Sequence, residues 1–151
     1  KFDFVASQAL AVKQSGMNVD AFVAPNGWPA FRSMVSPILQ DRIWRAKTVV
    51  ATGGGAVLSD YVRSMLGRQP FVVWLTASVD NIVERVRNDE GSRGMRPALG
   101  HYKSLAHEVK ATLSEREPLY AGSAGLVVDT DGRSPEQAAA EIITAWKQGT
   151  K

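Results

Sequence analysis

The stretch KTVVATGGG, Lys47 to Gly55, decides how the rest of the chain is read. Its first half is a short apolar run rich in β-branched residues, and Val49, Val50 and Ala51 suit a strand buried on both faces, as in a parallel sheet. Its second half is three consecutive glycines, Gly53, Gly54 and Gly55, placed where the chain leaves that strand. Without a Cβ the backbone can approach a ligand directly, positive φ is accessible, and main-chain amides can donate to an oxygen-rich group. The pattern is that of a strand ending in a binding loop, with a plain flexible turn as the bland alternative.

Upstream, Phe2 to Val5 reads as a strand and Ala6 to Ser15 as a helix closed by Gly16. Asn18 is placed to cap one or two helical turns that stop at Pro25, Asn26 and Gly27. A further helix follows, with Trp28, Phe31, Met34, Val35 and Ile38 at three- and four-residue spacing and Pro37 as its kink or early end. Downstream, Ser59 caps a helix through Leu66 with Tyr61, Val62, Met65 and Leu66 on one face, and Pro70 to Thr76 reads as a strand covered on both sides. Ser78 starts a helix whose inward residues are Ile82, Val83 and Val86. Residues 91–102, rich in glycine and arginine, read as a mobile loop. Lys103 to Tyr120 returns to helical spacing and ends near Pro118, Leu126 to Val128 forms a last strand, and Ser134-Pro135-Glu136 opens a final helix docked by Ala140, Ile142, Ile143 and Trp146. Strands alternating with helices imply an α/β fold, an open parallel sheet with helices on both faces, and a ligand beyond the carboxyl ends of the strands.

The bulk composition narrows the function. At 151 residues, 44% hydrophobic and 22% charged, the chain suits one soluble domain, 1–151, with no apolar run near the ~20 residues that span a bilayer. The expectation is a cytoplasmic protein with no membrane partner. The net charge of +3 is spread through mixed stretches such as NIVERVRNDE, without the basic stripe and interleaved aromatics that nucleic acid requires. There is no cysteine, and His101 and His107 are the only imidazoles, which argues against a transition-metal centre. Small anionic ligands remain as partners.

Five segments, GWPAFR at 27–32, VVATGGGAV at 49–57, RGMRPAL at 93–99, EREPLY at 115–120 and VVDT at 127–130, together resemble the shikimate kinases in order and spacing. The resemblance implies a fold of the nucleoside-monophosphate-kinase type with sheet order 2-3-1-4-5. It also implies transfer of the ATP γ-phosphate to the 3-hydroxyl of shikimate with Mg²⁺, a step in aromatic amino acid biosynthesis. On the matching positions, Arg32 and Arg116 correspond to the arginines that hold the shikimate carboxylate, a task suited to guanidinium forks. Gly53, Gly54 and Gly55 correspond to the loop against the shikimate ring, and Arg96 to the arginine of a lid over the phosphates. Arg85 and Pro135 match positions flanking the adenine, with Arg133 on the same nucleotide side. As bland alternatives, Arg85 and Arg133 are surface cations, and Trp28 and Phe31 are core.

The chain departs from that pattern in a consistent direction. The family opens with a strand and GxxxxGK[ST], a motif that does not occur in these residues, and continues FVDTD where this chain has Phe4, Val5, Ala6, Ser7 and Gln8. A third acid, three residues after the FR arginine, is Val35 here. Groups that bind anions are kept, while carboxylates that orient hydroxyls or attract metal are neutral at Ala6, Gln8 and Val35. Binding of ATP and Mg²⁺ is therefore in doubt on sequence grounds. The expectation is impaired catalysis, with a pseudokinase-type module that senses or sequesters shikimate or a related cyclic hydroxy acid as the alternative, and a purely structural or engineered domain as a third reading. In the order 2-3-1-4-5 the strand belonging to the absent motif is central, so the sequence also predicts either an N-terminal segment upstream of Lys1 or a partner strand in that place.

Overall fold

The computed structural model describes residues 1–89 and 99–149. The chain divides into two compact units, the first comprising Lys1–Met65 with the described part of Asp89–His101, the second Leu66–Asn88 with the described part of Tyr102–Lys151.

In the first unit, strand β1 (Asp3–Ala6) runs directly into helix α1 (Ser7–Ser15), which stops at Gly16. Gly16 adopts φ 68°, ψ 10°, and its N–H donates to the Val12 carbonyl at 2.9 Å, a left-handed C-terminal cap that favours glycine. Helix α2 (Val19–Ile43) begins at Asn18, whose backbone is extended but whose side chain makes no capping bond, contrary to the sequence expectation. Its two segments meet at Gly27, where φ 78° and ψ 165° break the helix. The kink thus falls at glycine, and the second segment carries on through Pro37 to Ile43. A proline inside a helix costs roughly 3 kcal/mol. Phe31, Val35 and Leu39, one above the other at four-residue spacing, are all buried, and each such side chain contributes about 1.5–3 kcal/mol, which outweighs that cost. Strand β2 (Thr48–Ala51) pairs in parallel with β1, Phe4 opposite Val49 and Ala6 opposite Ala51. After the glycines a 3-10 turn (Ala56–Leu58) leads to helix α3 (Asp60–Leu66). The Ser59 hydroxyl accepts from Val62 N at 3.4 Å, as the cap expected there. Val62, Met65 and Leu66 are buried, whereas Tyr61 is exposed.

In the second unit, strand β3 is limited to Val73–Thr76, shorter than the apolar run from Pro70, and pairs in parallel with β4 (Leu126–Asp129). Helix α4 (Val79–Asn88) starts behind Ser78, whose hydroxyl accepts from Asn81 N at 3.3 Å. Helix α5 (Leu105–Ser123) passes through Pro118, where the sequence predicted its end, and packs on α4. Helix α6 (Pro135–Gly149) packs on β4 and buries Ala138, while Ala140 and Ile143, expected to dock it, are exposed.

Parallel strands alternating with helices are as the sequence implied. Among the described residues the strands form two two-stranded ladders, β1 with β2 and β3 with β4. These pairings are the 2-3 and 4-5 neighbours of the implied order, and among the described residues no ladder joins them. The strands are also not buried on both faces. Phe4 is 70% exposed and its register partner Val49 53% exposed, so one face of the first ladder is open. In the second ladder Val128 is fully buried but its partner Leu75 is 56% exposed, so cover on that face stops short of β3. No described helix is long and apolar enough to cross a membrane.

Candidate functional site

The parallel pairing of β1 and β2 brings their carboxyl ends together, Ala6 beside Ala51, and the site grows from that edge. On one strand the chain turns at once into α1, placing Ser7 and Gln8 in its first turn; on the other it continues into Gly53, Gly54 and Gly55. Ser7 is fully buried, and its hydroxyl accepts a hydrogen bond from Gly53 N at 3.3 Å. The glycine turn is held from its other side by Ala56 N donating to Gly53 O at 2.9 Å and Leu58 N donating to Gly55 O at 3.2 Å. Sequence reasoning missed Ser7 as the anchor of this turn. Its signal was a hydroxyl residue immediately after a strand, at the level where the neighbouring strand also ends.

Gly53 and Gly55 do not use positive φ, since positive φ among the described glycines occurs at Gly16, Gly27 and Gly132. What they supply is space. A Cβ on Gly53 would lie 3.6 Å from Gln8 Cδ, and one on Gly55 would lie 3.9 Å from Arg32 Cδ. Glutamine and arginine therefore lie against the same short turn, each at a distance where a Cβ would meet it in ordinary van der Waals contact. Arg32 enters from the second segment of α2, whose course is set by the Gly27 kink. Its backbone carbonyl accepts from the Ser36 hydroxyl at 2.9 Å, and no ion pair among the described residues involves its guanidinium. Ala6 closes β1 and offers no side-chain cap to α1. Val35, one turn beyond Arg32, is buried among the apolar side chains of α2 and adds no polar group to the site.

Arg116 belongs to the second unit, on α5. It is only 9% exposed, and its Nε has no hydrogen-bond partner among the described residues. A buried cation with an unsatisfied donor is costly, and the usual remedy is an anion.

The remaining sequence-predicted residues gather at the end of β4. Arg85 Nη1 donates to Thr130 Oγ1 and Nη2 to Thr130 O, each at 2.7 Å, so two of its five N–H donors are engaged there. Arg133 Nη1 donates to Asp129 O at 3.0 Å and Nη2 pairs with Glu141 at 2.6 Å. Pro135 is the first residue of α6, behind the reciprocal cap in which Ser134 N donates to Gln137 Oε1 at 2.8 Å and Gln137 N to Ser134 Oγ at 3.3 Å. Asp131 accepts from Ser78 N at 3.0 and 3.1 Å; bonding from Ser78, with Asn81 and the nearby Arg85 adding to it, holds its carboxyl below the ordinary value. Thr130 and Asp131 tie the α4 start to the β4 loop, a role that VVDT alone did not reveal. Arg96, with residues 91–98 of the lid-like loop 91–102, lies outside the described residues.

Two short parallel ladders, with a glycine turn and Arg32 at the carboxyl ends of one of them, define a parallel α/β protein. The family described as shikimate kinase matches residues 1–147. A shikimate kinase of Nitratidesulfovibrio vulgaris is 39% identical over 145 residues, which are 95% of this chain and 80% of that relative. Shikimate kinase 2 of Salmonella dublin is 36% identical over 135 residues, 89% of this chain and 72% of the relative. Among solved structures, a shikimate kinase from Acinetobacter baumannii in complex with shikimate shares the fold at a TM-score of 0.86 and 24% identity, covering 99% of this chain and 82% of that one. The chain belongs to the shikimate kinase family.

Proposed function

We propose that this protein binds shikimate or a closely related cyclic hydroxy acid, with Arg32 taking the carboxylate and Gly53 to Gly55 lying against the ring, and that Arg116, by the family resemblance, is also an anion-binding residue. The observation that carries this reading is Arg32, held against the glycine turn without an ion pair among the described residues. A guanidinium fork matches a carboxylate bidentately, and the missing Cβ atoms let a ring approach the backbone beside it. The relative solved with shikimate supports the choice of ligand. The protein would act in the cytoplasm, with no membrane or nucleic-acid partner.

The nucleotide side of the family reaction would fall to Arg85, Arg133 and Pro135. Thr130 orients Arg85 through two of its donors, and a planar guanidinium so held is suited to stacking on a base. Mg²⁺ is a different matter. Ala6 and Gln8 stand where the family pattern has aspartates; Ala6 has no donor atom and Gln8 only a neutral carbonyl oxygen, so these residues lack the carboxylate charge that Mg²⁺ prefers and do not fit the metal. With no carboxylate at Gln8 to take the hydroxyl proton, the reading is that this chain transfers phosphate poorly; loss of a general base typically costs about 10²–10⁴ in rate.

Calorimetry with shikimate tests the binding half: heat of binding is expected for the chain as it stands, and its loss by at least about tenfold in Arg32→Ala and in Arg116→Ala. Absence of any heat with shikimate sinks it. A coupled assay of ADP release tests the other half, which fails if turnover reaches the roughly 1–100 s⁻¹ usual for kinases.

A further inference from the structure

We infer that Gln8 makes this site accept a cyclic carboxylate bearing a ring carbonyl about as readily as one bearing only ring hydroxyls. The inference rests on the reading of the Arg32 side as a carboxylate site and adds what the opposite wall recognises. Gln8 lies flat on the glycine turn: a Cβ at Gly53 would be 3.6 Å from its Cδ, 3.7 Å from its Cγ and 3.9 Å from its Nε2. No hydrogen bond among the described residues uses its carboxamide, so both ends of the amide are free for a ligand. The neighbouring polar group is already spent, because the Ser7 hydroxyl is fully buried and accepts from Gly53 N. Ala6 on its other side is apolar.

The polar groups that this turn presents are therefore a guanidinium beside Gly55, which only donates, and a carboxamide beside Gly53, which both donates and accepts. An ionised carboxylate in place of Gln8 would accept only. It would favour a ring hydroxyl, which has a proton to give, and would set its lone pairs against a carbonyl oxygen, which has none. Gln8 removes that discrimination. Nε2–H can donate to a ketone and Oε1 can accept from a hydroxyl, whichever way round the amide sits. The substrate class so defined is a ring monocarboxylate with a carbonyl or hydroxyl oxygen across the ring from its acid group.

The test is calorimetry on the full chain with shikimate and with an analogue in which one ring hydroxyl is replaced by a ketone, repeated on Gln8→Glu. The wild-type chain should bind the two within about threefold of each other. Gln8→Glu should weaken the keto analogue at least about tenfold more than shikimate, the loss expected when a donated hydrogen bond becomes an unpaired acceptor. Taking the ratio removes the general repulsion between the new charge and either acid. Wild-type binding of shikimate with the keto analogue more than about tenfold weaker overturns the inference without any variant. An unchanged ratio in a Gln8→Glu protein of unaltered circular dichroism overturns the assignment to Gln8. Failure of both acids to bind the wild-type chain overturns the carboxylate site itself, and the inference falls with it.

Discussion

Replacing Arg116 with methionine should make the protein more stable while removing its ligand. Arg116 is 9% exposed and its Nε has no partner among the described residues. A buried donor left unpaired costs about 1–3 kcal/mol. Methionine keeps the apolar stem and drops that penalty, though the smaller head leaves a void that returns about 1 kcal/mol. The net expectation is a gain of about 0–2 kcal/mol, against the 5–15 kcal/mol that typically holds a domain together. Urea unfolding followed by fluorescence of the four tryptophans measures it. The second arm adds shikimate at about 100 times its dissociation constant, which should stabilise the wild-type chain by about 2.7 kcal/mol and leave Arg116→Met unmoved. If Arg116→Met is less stable than wild type by more than about 1 kcal/mol, the cation is serving the fold and the reasoning fails. If the variant is still stabilised by shikimate, Arg116 does not hold the ligand.

Two further outcomes concern the loop at the end of β4. Hydrogen bonding from Ser78 depresses the Asp131 carboxyl below its ordinary 3.8, so its contribution is complete above that value and is lost as pH falls through the lowered folded value. Asp131→Asn should therefore melt earlier than wild type at about pH 7, with the difference shrinking towards zero at about pH 2; a difference that persists in acid contradicts the assignment. Ser134→Ala removes the oxygen that accepts from Gln137 N and should cost about 0.5–2 kcal/mol in thermal unfolding. The same change should raise the Glu136 carboxyl towards its ordinary range in a carbon-detected NMR titration, because bonding with Ser134 is the main reason that it lies low.

Elements with local causes were legible. Gly16 ends α1, Ser59, Ser78 and Ser134 mark helix starts, and the strands lie inside apolar runs, since caps and β-branched runs act over a few residues. Prolines misled. Pro37 and Pro118 both sit inside continuous helix, and in α2 the burial of the row Phe31, Val35 and Leu39 outweighs one lost backbone bond. Apolar strands misled as well. Val49 and Leu75 look like core in sequence and are exposed, because a two-stranded ladder covers less than a wide sheet does.

Of the candidate site, the sequence by itself determined the inventory: an arginine in GWPAFR, three glycines behind a strand, and neutral residues at Ala6, Gln8 and Val35. Only the tertiary structure decided how these act. Register places Ala6 level with Ala51 and so brings Ser7 and Gln8 onto the glycine turn, a contact spanning more than forty positions that no local pattern encodes. It also separates two neutral positions that look equivalent on paper: Val35 is packed into the core of α2, while the Gln8 amide stays free beside Gly53. The physical reason is that residue type sets which bonds a side chain can make, whereas strand pairing and helix packing set which partners and how much water it meets.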